Sequence, residues 1–359
     1  MPPGQKPLVL ITHDESTFNA NDGKRRLWAE SGKQPLRPKS KGKGIMVSGF
    51  LTPGGILRIP DTISDAELLA DSSWPKDEAG NPEREAIRYL EYGKDNYWTG
   101  EKMVRHTKDV IPFLRYAFPG CEGLFAFDNA SNHCVFAPDA LVASKMNLGY
   151  GRKQPLMREG WDHARRLPQS MIYPENHPDT ARRGKAKGVK AVLQERKLWP
   201  AQGRGRRNFV LRCKAKKKTK TEPDQFRCDP ALEGRCCATS LLQSQPDFQA
   251  QKGQLQEEVE AAGHSVIFYP KFHCELNFIE RFWCAAKYYT RENCLYTIES
   301  LRTTIPAAFR SITSASINKF YHHCVRAIEA YAGGFTYGTK SFQDQVHKNH
   351  RQVPDPSKW

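Results

Sequence analysis

The sequence predicts an α/β protein, because strand-like and helix-like segments alternate along its 359 residues. Short apolar runs, such as residues 8–11 and 124–127, end abruptly at acidic residues, as buried strands often do. Longer stretches, such as residues 99–118, carry apolar residues at helical spacing. Hydrophobic residues make up 39% of the chain and aromatic residues 11%, so we expect a proper core in one large domain or two smaller ones.

The first part of the chain contains four strand-like segments, which suggests an antiparallel meander. These segments are residues 8–11, a segment around Trp28, and two segments on either side of a turn at Pro53. Residues 62–92 look helical but polar, and Thr99 is suited to cap the helix that follows them.

The composition changes near residue 150. Residues 150–220 are rich in Arg, Lys, Gly and Pro, and their basic stretches contain almost no acids. After them we expect a helix at residues 241–263, interrupted by Pro246, and a strand at residues 264–270. Further helix is expected at residues 276–293 and 305–334.

The chain is strongly basic, with a formal net charge of +16 and a pI of about 9.4. This balance predicts an anionic partner, with nucleic acid favoured over an anionic membrane. We expect no membrane span, because no apolar run approaches the roughly 20 residues required. The first apolar run is too short for a signal peptide, so secretion is not expected. The ten cysteines are therefore expected to be thiols or metal ligands rather than disulfides.

Three acids stand at the ends or beginnings of predicted elements. Asp14 ends the first strand, Asp128 ends a later strand, and Glu280 lies early in a helix that follows a third strand. If these carboxylates converge, they could hold two divalent cations roughly 3.5–4 Å apart, as phosphodiester chemistry requires. The alternative is that each acid acts alone, as a turn or cap residue or on a solvated helix face.

Three blocks carry a family resemblance, and they occur in the family's order. They read HDESTFNANDGKRRLW with GKGIMVSGFLTPGGIL, then FDNASNH, then ELNFIERFWCAAK. Together they resemble the catalytic domain of mariner-type DDE transposases. The resemblance implies an RNase H-like fold, with a mixed five-stranded sheet flanked by helices and the first two acids on neighbouring strands. It also implies that Asp14, Asp128 and Glu280 are catalytic and bind two Mg²⁺ or Mn²⁺ ions.

The resemblance also suggests structural, non-catalytic roles for other residues of these blocks. Asn129 is expected in a turn, and His133 is expected to pack locally or to touch a phosphate. Glu275 matches an acid that is not a metal ligand of the family, and we expect it at the start of a helix.

The sequence also departs from the family. Far more chain separates Asp128 from Glu280 than in typical relatives, and Phe278 replaces the usual proline. Almost no chain precedes Asp14, so we expect the helix-turn-helix modules of the family to be lacking; either the chain is a truncated copy or the insertion alone binds DNA. The expected core comprises residues 1–149 and 262–335. A large basic cysteine-containing insertion, residues 150–261, is expected before the last catalytic helix, and a basic tail is expected at residues 336–359.

The basic insertion is expected to contact DNA phosphates. The candidate residues are Arg182, Arg183, Lys185, Lys187, Arg204, Arg206, Arg207, Lys214, Lys216, Lys217 and Lys218. The alternative is a solvated, disordered loop. The stretch KAKKKTK could also be a nuclear localisation signal, which predicts a nuclear protein in a eukaryote and otherwise a cytoplasmic one. Three aromatic residues could stack on bases or belong to a core: Trp161, Trp199 and Phe209.

Four cysteines cluster in the same insertion, namely Cys213, Cys228, Cys236 and Cys237. Four thiolates can bind Zn²⁺ tetrahedrally, although adjacent cysteines seldom bind one ion together. The alternatives are free thiols, which we favour, and a disulfide.

The resulting hypothesis is a DDE-type transposase or endonuclease that cleaves DNA and transfers strands with divalent metal, with a homodimer implied by the resemblance. One alternative is a catalytically inactive, transposase-derived DNA-binding protein. Two others are an RNase H-like nuclease that cuts RNA or branched DNA, and a protein that packages nucleic acid.

Overall fold

The computed structural model describes residues 5–24, 36, 38–93, 96–200, 209–213 and 236–348. The chain forms two compact units. Unit 1 contains residues 1–135 and 255–359, and unit 2 contains residues 136–254. The domain boundaries expected from the sequence, at 149/150, 261/262 and 335/336, stay predictions.

The strands number eight among the described residues. They are β1 (Leu8–Asn19), β2 (Gly44–Thr52), β3 (Gly55–Ile56), β4 (Ile87–Glu91), β5 (Glu122–Phe127), β6 (Gly160–Asp162), β7 (Leu167–Gln169) and β8 (Ser265–Phe268).

The same part of the chain contains eleven α-helices. They are α1 (Asp65–Leu69), α2 (Gly100–Val110), α3 (Phe113–Ala117), α4 (Val189–Glu195), α5 (Ala238–Gln243), α6 (Pro246–Gln249), α7 (Gln254–Ala261), α8 (Ile279–Glu292), α9 (Ile298–Ser311), α10 (Ser314–Ala332) and α11 (Lys340–Lys348). Within the described ranges, no helix combines the length and the apolar character needed to cross a membrane.

Unit 1 is built on a mixed sheet with the strand order β3-β2-β1-β5-β8, and β4 also pairs with β2. β1 and β2 are antiparallel, whereas β1–β5 and β5–β8 are parallel pairs. Helices flank this sheet, so the α/β class is confirmed and the arrangement is consistent with an RNase H-like catalytic domain. The sheet has six strands rather than five, because β3 and β4 pair with different parts of β2.

The two faces of β1 pack against different cores, as the alternation of side chains along a strand requires. On one face, Phe18 packs with Trp283 and Phe309 among the helices α8, α9 and α10. On the other face, Ile11 packs with Phe50 and with side chains of α2, α3 and α7. Each face buries apolar surface, which contributes about 25 cal/mol per Å² to folding.

Two sequence predictions about elements are wrong. Asp14 does not end the first strand, because β1 continues from Leu8 to Asn19. Residues 62–92 are not one helix: α1 spans five residues, turns follow it, and β4 pairs with β2. The aspartates Asp71 and Asp77 accept backbone N–H bonds in those turns, which competes with helix formation. The helix expected at 241–263 is interrupted at Pro246, as the sequence predicted, because Pro246 begins α6 rather than continuing α5. The segment is divided again after α6, since α7 begins only at Gln254. The strand expected around Trp28 lies outside the described residues.

Unit 2 has its own small core. A hairpin of β6 and β7 and the helices α4, α5 and α6 contribute to it, with Phe248 and Leu242 buried. Arg196 and Asp247 form a buried bidentate ion pair at 2.6 and 2.8 Å, which satisfies both charges inside the fold.

Candidate active site

Asp14 and Asp128 occupy corresponding positions on two neighbouring parallel strands. The β1–β5 ladder pairs Thr12 with Ala126, and each acid follows its member of this pair by two residues. Asp128 lies one residue beyond the end of β5, so the two acids come from adjacent positions in the sheet. Asp14 remains within β1 and is nearly buried, whereas the Asp128 side chain is 46% exposed. The pair is therefore open to solvent on the Asp128 side.

Asn277 fixes the beginning of α8 to β1. Its Oδ1 accepts a bond of 2.5 Å from the Thr12 hydroxyl, and its Nδ2 donates to the His13 carbonyl oxygen at 3.2 Å. Asn277 is buried, and Glu280 follows it in the first turn of α8. These bonds hold the helix that carries Glu280 against the strand that carries Asp14.

Trp283 makes a second link between α8 and β1. Its Nε1–H donates to Asp14 Oδ2 at 3.2 Å. Asp14 pairs in register with Gly49 of β2, and a Cβ at Gly49 would lie 3.1 Å from the Trp283 ring. The absence of a side chain at Gly49 thus gives the indole ring room to reach the carboxylate.

The electrostatics of the three acids show that their charges act on one another. Burial raises the pKa of Asp14 well above its usual range, and the charges of Glu280, Glu15 and Asp128 raise it further. Burial also raises the pKa of Glu280, where Lys287 lowers it and Asp128 raises it. The fold therefore brings together acids that the sequence places far apart, at a cost in like-charge repulsion.

The Asp128 carboxylate is oriented by hydrogen bonds from neighbouring residues of the FDNASNH segment. Its Oδ1 accepts bonds from His133 Nδ1 at 2.5 Å and from the Ala130 N–H at 3.0 Å. Burial tends to raise the pKa of Asp128, but these two hydrogen bonds outweigh it and the pKa is lowered. Oδ2 has no hydrogen-bond partner among the described residues, so it can accept a ligand.

The supporting residues of the second and third blocks are placed as follows. Asn129 donates to the Tyr269 carbonyl oxygen at 2.5 Å, which attaches the loop after β5 to the end of β8. His133 is buried and contacts Asp128, so in this structure it packs locally and does not face an external phosphate. Glu275 lies in the turn before α8 and accepts bonds from Tyr331 Oη at 2.5 Å and His273 Nδ1 at 2.7 Å.

Divalent ions fit the chemistry of this centre. The donors are carboxylate oxygens, which Mg²⁺ and Mn²⁺ prefer, and a cation would offset the burial and the like-charge repulsion that raise the pKa of Asp14. Among the described residues, two groups of three have ligand atoms within 4.8 Å of one another, and the set Asp14, Asp128 and Glu280 is neither of them. One ion bound by all three acids would require them to move closer, whereas two ions could each be shared by fewer acids.

None of the protein-family models and none of the curated proteins compared with the chain matches it. Solved structures similar to it include "Mos1 transposase paired-end complex with left transposon end", at 9% identity and a TM-score of 0.43, covering 90% of this chain and 55% of that one. Another is "Crystal structure of the Mos1 mariner paired end complex with Mn", at 10% identity and 0.42, covering 92% and 56%.

A third similar structure is "Crystal structure of the Mos1 Strand Transfer Complex", at 14% identity and a TM-score of 0.19, covering 36% of this chain and 29% of that one. The chain spans about 55% of the length of the first of these proteins. The proposed function therefore rests on the residues of this chain.

The basic residues predicted to bind DNA have different environments in unit 2. Arg183 and Lys185 are both exposed at the surface. Arg182 pairs with Asp179 at 3.0 Å. Lys187 is nine-tenths buried and pairs with Glu195 at 2.9 Å, so its charge is already compensated within the fold. The other candidates lie outside the described residues: Arg204, Arg206, Arg207, Lys214, Lys216, Lys217 and Lys218.

Three of the four clustered cysteines lie together. The sulfur atoms of Cys213, Cys236 and Cys237 are within 4.8 Å of one another, and none is in a disulfide. Burial and hydrogen bonding by Cys236 raise the pKa of Cys213 to about 12, so without metal it is a thiol. Cys228 lies outside the described residues, and zinc binding here stays a prediction.

The aromatic residues of the insertion differ in exposure. Trp199 and Phe209 pack edge to face, with ring centroids 5.2 Å apart, beside the core of unit 2. Trp161 is 42% exposed. Trp199 and Phe209 therefore belong to a core, as one of the two hypotheses stated. Base stacking stays a prediction for Trp161.

Sequence reasoning missed the residues that hold the acids in place. Asn277, Trp283 and Gly49 support α8 and Asp14. Glu15 lies beside His133 and accepts a hydrogen bond from Trp98. One signal was available: His13 and Glu15 flank Asp14, and alternation along a strand puts both on the opposite face from it.

Proposed function

We propose that this chain is a DDE-type transposase or endonuclease that cleaves DNA phosphodiester bonds and transfers strands with divalent metal. The observation that carries the proposal is the placement of Asp14 on β1, Asp128 just after the neighbouring strand β5, and Glu280 at the start of α8, near enough for the charges of Glu280 and Asp128 to raise the pKa of Asp14. The three ordered blocks that resemble mariner-type transposases support the same assignment.

In the proposed mechanism, Asp14 and Asp128 would be shared between two ions, and Glu280 would complete the second site. Two bound Mg²⁺ or Mn²⁺ ions supply activation of water or of a DNA 3′-hydroxyl, and they stabilise the charge that develops on the leaving oxygen. No side-chain nucleophile is required.

The surrounding residues orient these ligands. The Trp283 N–H holds one oxygen of Asp14, and the His133 and Ala130 N–H groups hold one oxygen of Asp128. Each carboxylate thus keeps a fixed direction while retaining an oxygen for an ion, which is what positioned metal ligands need.

The test is nicking of supercoiled plasmid DNA with Mg²⁺ or Mn²⁺. We expect the variants Asp14→Asn, Asp128→Asn and Glu280→Gln each to reduce the nicking rate by at least about 10³-fold, since removal of a group acting in a catalytic unit costs on this order. The matched control is Glu292→Gln, which changes an acid at the other end of α8 and should keep wild-type activity.

Nicking that is unchanged in Asp128→Asn would dispose of the catalytic assignment. Metal-independent DNA binding with no cleavage by the wild type would favour the inactive DNA-binding or packaging protein. Faster cleavage of RNA or branched DNA than of plasmid, in the same assay, would favour the other RNase H-like nuclease.

Assembly and location belong to the proposal as well. We propose a homodimer acting on DNA, located in the nucleus if the source is eukaryotic. Sedimentation with and without DNA tests the first statement, and microscopy of a tagged chain tests the second.

A further inference from the structure

The face of β1 opposite to Asp14 carries a second group of chemically capable side chains. His13, Glu15 and His133 have ligand atoms that all lie within 4.8 Å of one another. His133 Nε2 is 3.7 Å from Glu15 Oε1, and the rings of His13 and His133 meet edge to face with centroids 5.3 Å apart. The proposed chemistry of the three acids does not use this group as a ligand set.

Two ring nitrogens in the group are buried with no hydrogen-bond partner in the described part of the chain. They are His13 Nδ1 and His133 Nε2. Both histidines are at most 1% exposed. A buried polar atom without a partner costs about 1–3 kcal/mol, so such atoms call for a physical explanation, of which a bound ion is one.

The other nitrogen of each ring is anchored. His133 Nδ1 faces the Asp128 carbonyl oxygen at 3.1 Å and its Oδ1 at 2.5 Å. Both are acceptors, so Nδ1 carries the hydrogen and Nε2 of the neutral ring presents a lone pair. His13 Nε2 lies 2.8 Å from Ser48 Oγ, which lies 2.9 Å from His106 Nδ1.

This is the arrangement of metal-binding histidines. A histidine ligand commonly donates its second ring N–H to a carboxylate, a carbonyl or another oxygen, which fixes the tautomer and the ring direction. His133 donates its second ring N–H to Asp128 in this way, and Ser48 is placed to accept the second ring N–H of His13. Glu15 contributes a carboxylate that is itself held by the Trp98 N–H at 2.6 Å.

We propose that His13, Glu15 and His133 form a buried site for one transition-metal ion of the Zn²⁺ class, bound through His13 Nδ1, His133 Nε2 and a Glu15 carboxylate oxygen. Imidazole ligands select Zn²⁺, Co²⁺ or Ni²⁺ over Mg²⁺, which prefers oxygen and keeps its waters. Bonds of about 2.0–2.1 Å to each ligand place neighbouring ligands about 3.4 Å apart, close to the 3.7 Å between His133 and Glu15. An ion here would brace His133, and through it Asp128.

The rival explanation is a proton in place of the ion. A protonated His133 would donate from Nε2 toward Glu15 and from Nδ1 to Asp128, and it would leave His13 Nδ1 without a partner. The two explanations differ in whether the protein retains a metal.

The experiment uses the full chain, stripped with a chelator and then titrated with Co²⁺ in excess Mg²⁺. We expect one tightly bound Co²⁺ that shows visible d–d absorption without the near-ultraviolet thiolate-to-cobalt charge-transfer band, so that binding by the cysteines is counted separately. The zinc-loaded wild type should show nitrogen and oxygen neighbours at about 2.0–2.1 Å in X-ray absorption at the zinc edge. This measurement needs no variant and cannot be confounded by misfolding.

Variants then locate the ion. His13→Gln should lose the nitrogen-bound Co²⁺ by at least about 10²-fold in affinity, whereas His106→Gln, a buried histidine of the same hydrogen-bonded chain, should retain it within about 10-fold. The proposal would be overturned in favour of the proton if the wild type bound no nitrogen-ligated Co²⁺. It would also be overturned if His13→Gln bound that ion as tightly as the wild type.

The result is separable from the proposed catalytic function. Glu280→Gln should abolish nicking but keep the nitrogen-bound ion. If the wild type never nicks DNA and still binds the ion, only the catalytic proposal fails. If it nicks with Mg²⁺ and binds no such ion, only the new site fails.

Discussion

At the scale of single residues, one side-chain amide joins two distant parts of the chain. Asn277 bonds to Thr12 and to the backbone of His13, across 265 and 264 positions of sequence. All three groups are buried, so the bonds cannot be replaced by water without rearrangement. The position of Glu280 thus depends on a side chain that has no part in catalysis.

We predict that Asn277→Ala lowers the free energy of unfolding by about 2–4 kcal/mol, because two buried groups each lose a partner at about 1–3 kcal/mol. It should also slow metal-dependent nicking, since the start of α8 is released. Urea denaturation and the plasmid assay measure the two effects. Asn293→Ala, at the exposed end of the same helix, should change stability by no more than about 0.5 kcal/mol. Equal stability of the two variants would contradict this account.

At the scale of elements, α8 and α10 meet through a histidine that resists protonation. His323 Nε2 lies 3.1 Å from the Arg281 guanidinium. Burial, together with the charges of Arg281, Arg326 and His347, lowers the pKa of His323 to about 4. The unfolded chain has no such environment, so there the histidine gains a proton near its ordinary pKa of 6.5.

Stability contributed by neutral His323 is fully present above pH 6.5. Between about pH 6.5 and 4 the unfolded state binds more protons than the folded state, so this contribution is lost as the pH falls. We predict that His323→Gln weakens the fall in unfolding free energy across this range, because glutamine cannot be protonated. Urea denaturation at pH 7, 6 and 5 measures it, with His322→Gln as the control. A parallel pH dependence for wild type and His323→Gln would refute the prediction.

The elements also show what could be predicted from the sequence. The α/β class and the acid that follows β5 were predictable, because buried strands are apolar and polar residues follow their ends. The place of Asp14 was not, because β1 continues past it to Asn19 along its pairing with β2. β4 was not, since its residues IRYLE mix polar and apolar side chains, and pairing with β2 rather than local preference makes it a strand. The supports of the acids were hidden for another reason: contacts such as Thr12 with Asn277 exist only after folding.

At the scale of the whole molecule, the net charge of +16 favours association with polyanions before any specific contact forms. The accessible basic residues of unit 2 are candidates for phosphate contact, whereas the buried Lys187 is not free to join them. This difference can be measured through the salt dependence of binding.

We predict that the double variant Arg183→Ala, Lys185→Ala binds duplex DNA more weakly and with a smaller dependence on salt. The slope of log K against log salt should fall by about 0.9 for each phosphate that is no longer neutralised, so by up to about 1.8. Fluorescence anisotropy at several salt concentrations measures it, and Lys76→Ala in unit 1 is the control. An unchanged slope would indicate a merely solvated surface.

Unit 1 is discontinuous, with residues 255–359 supplying β8 and α8 to a sheet begun by residues 1–135. A ribosome therefore releases Asp14 and Asp128 long before Glu280 and the outer partner of β5 exist. Until then, β5 has no strand on that side and the acidic trio is incomplete. If the chain has the proposed activity, nascent and prematurely terminated chains should not cut DNA, and cutting should begin only when synthesis is nearly finished.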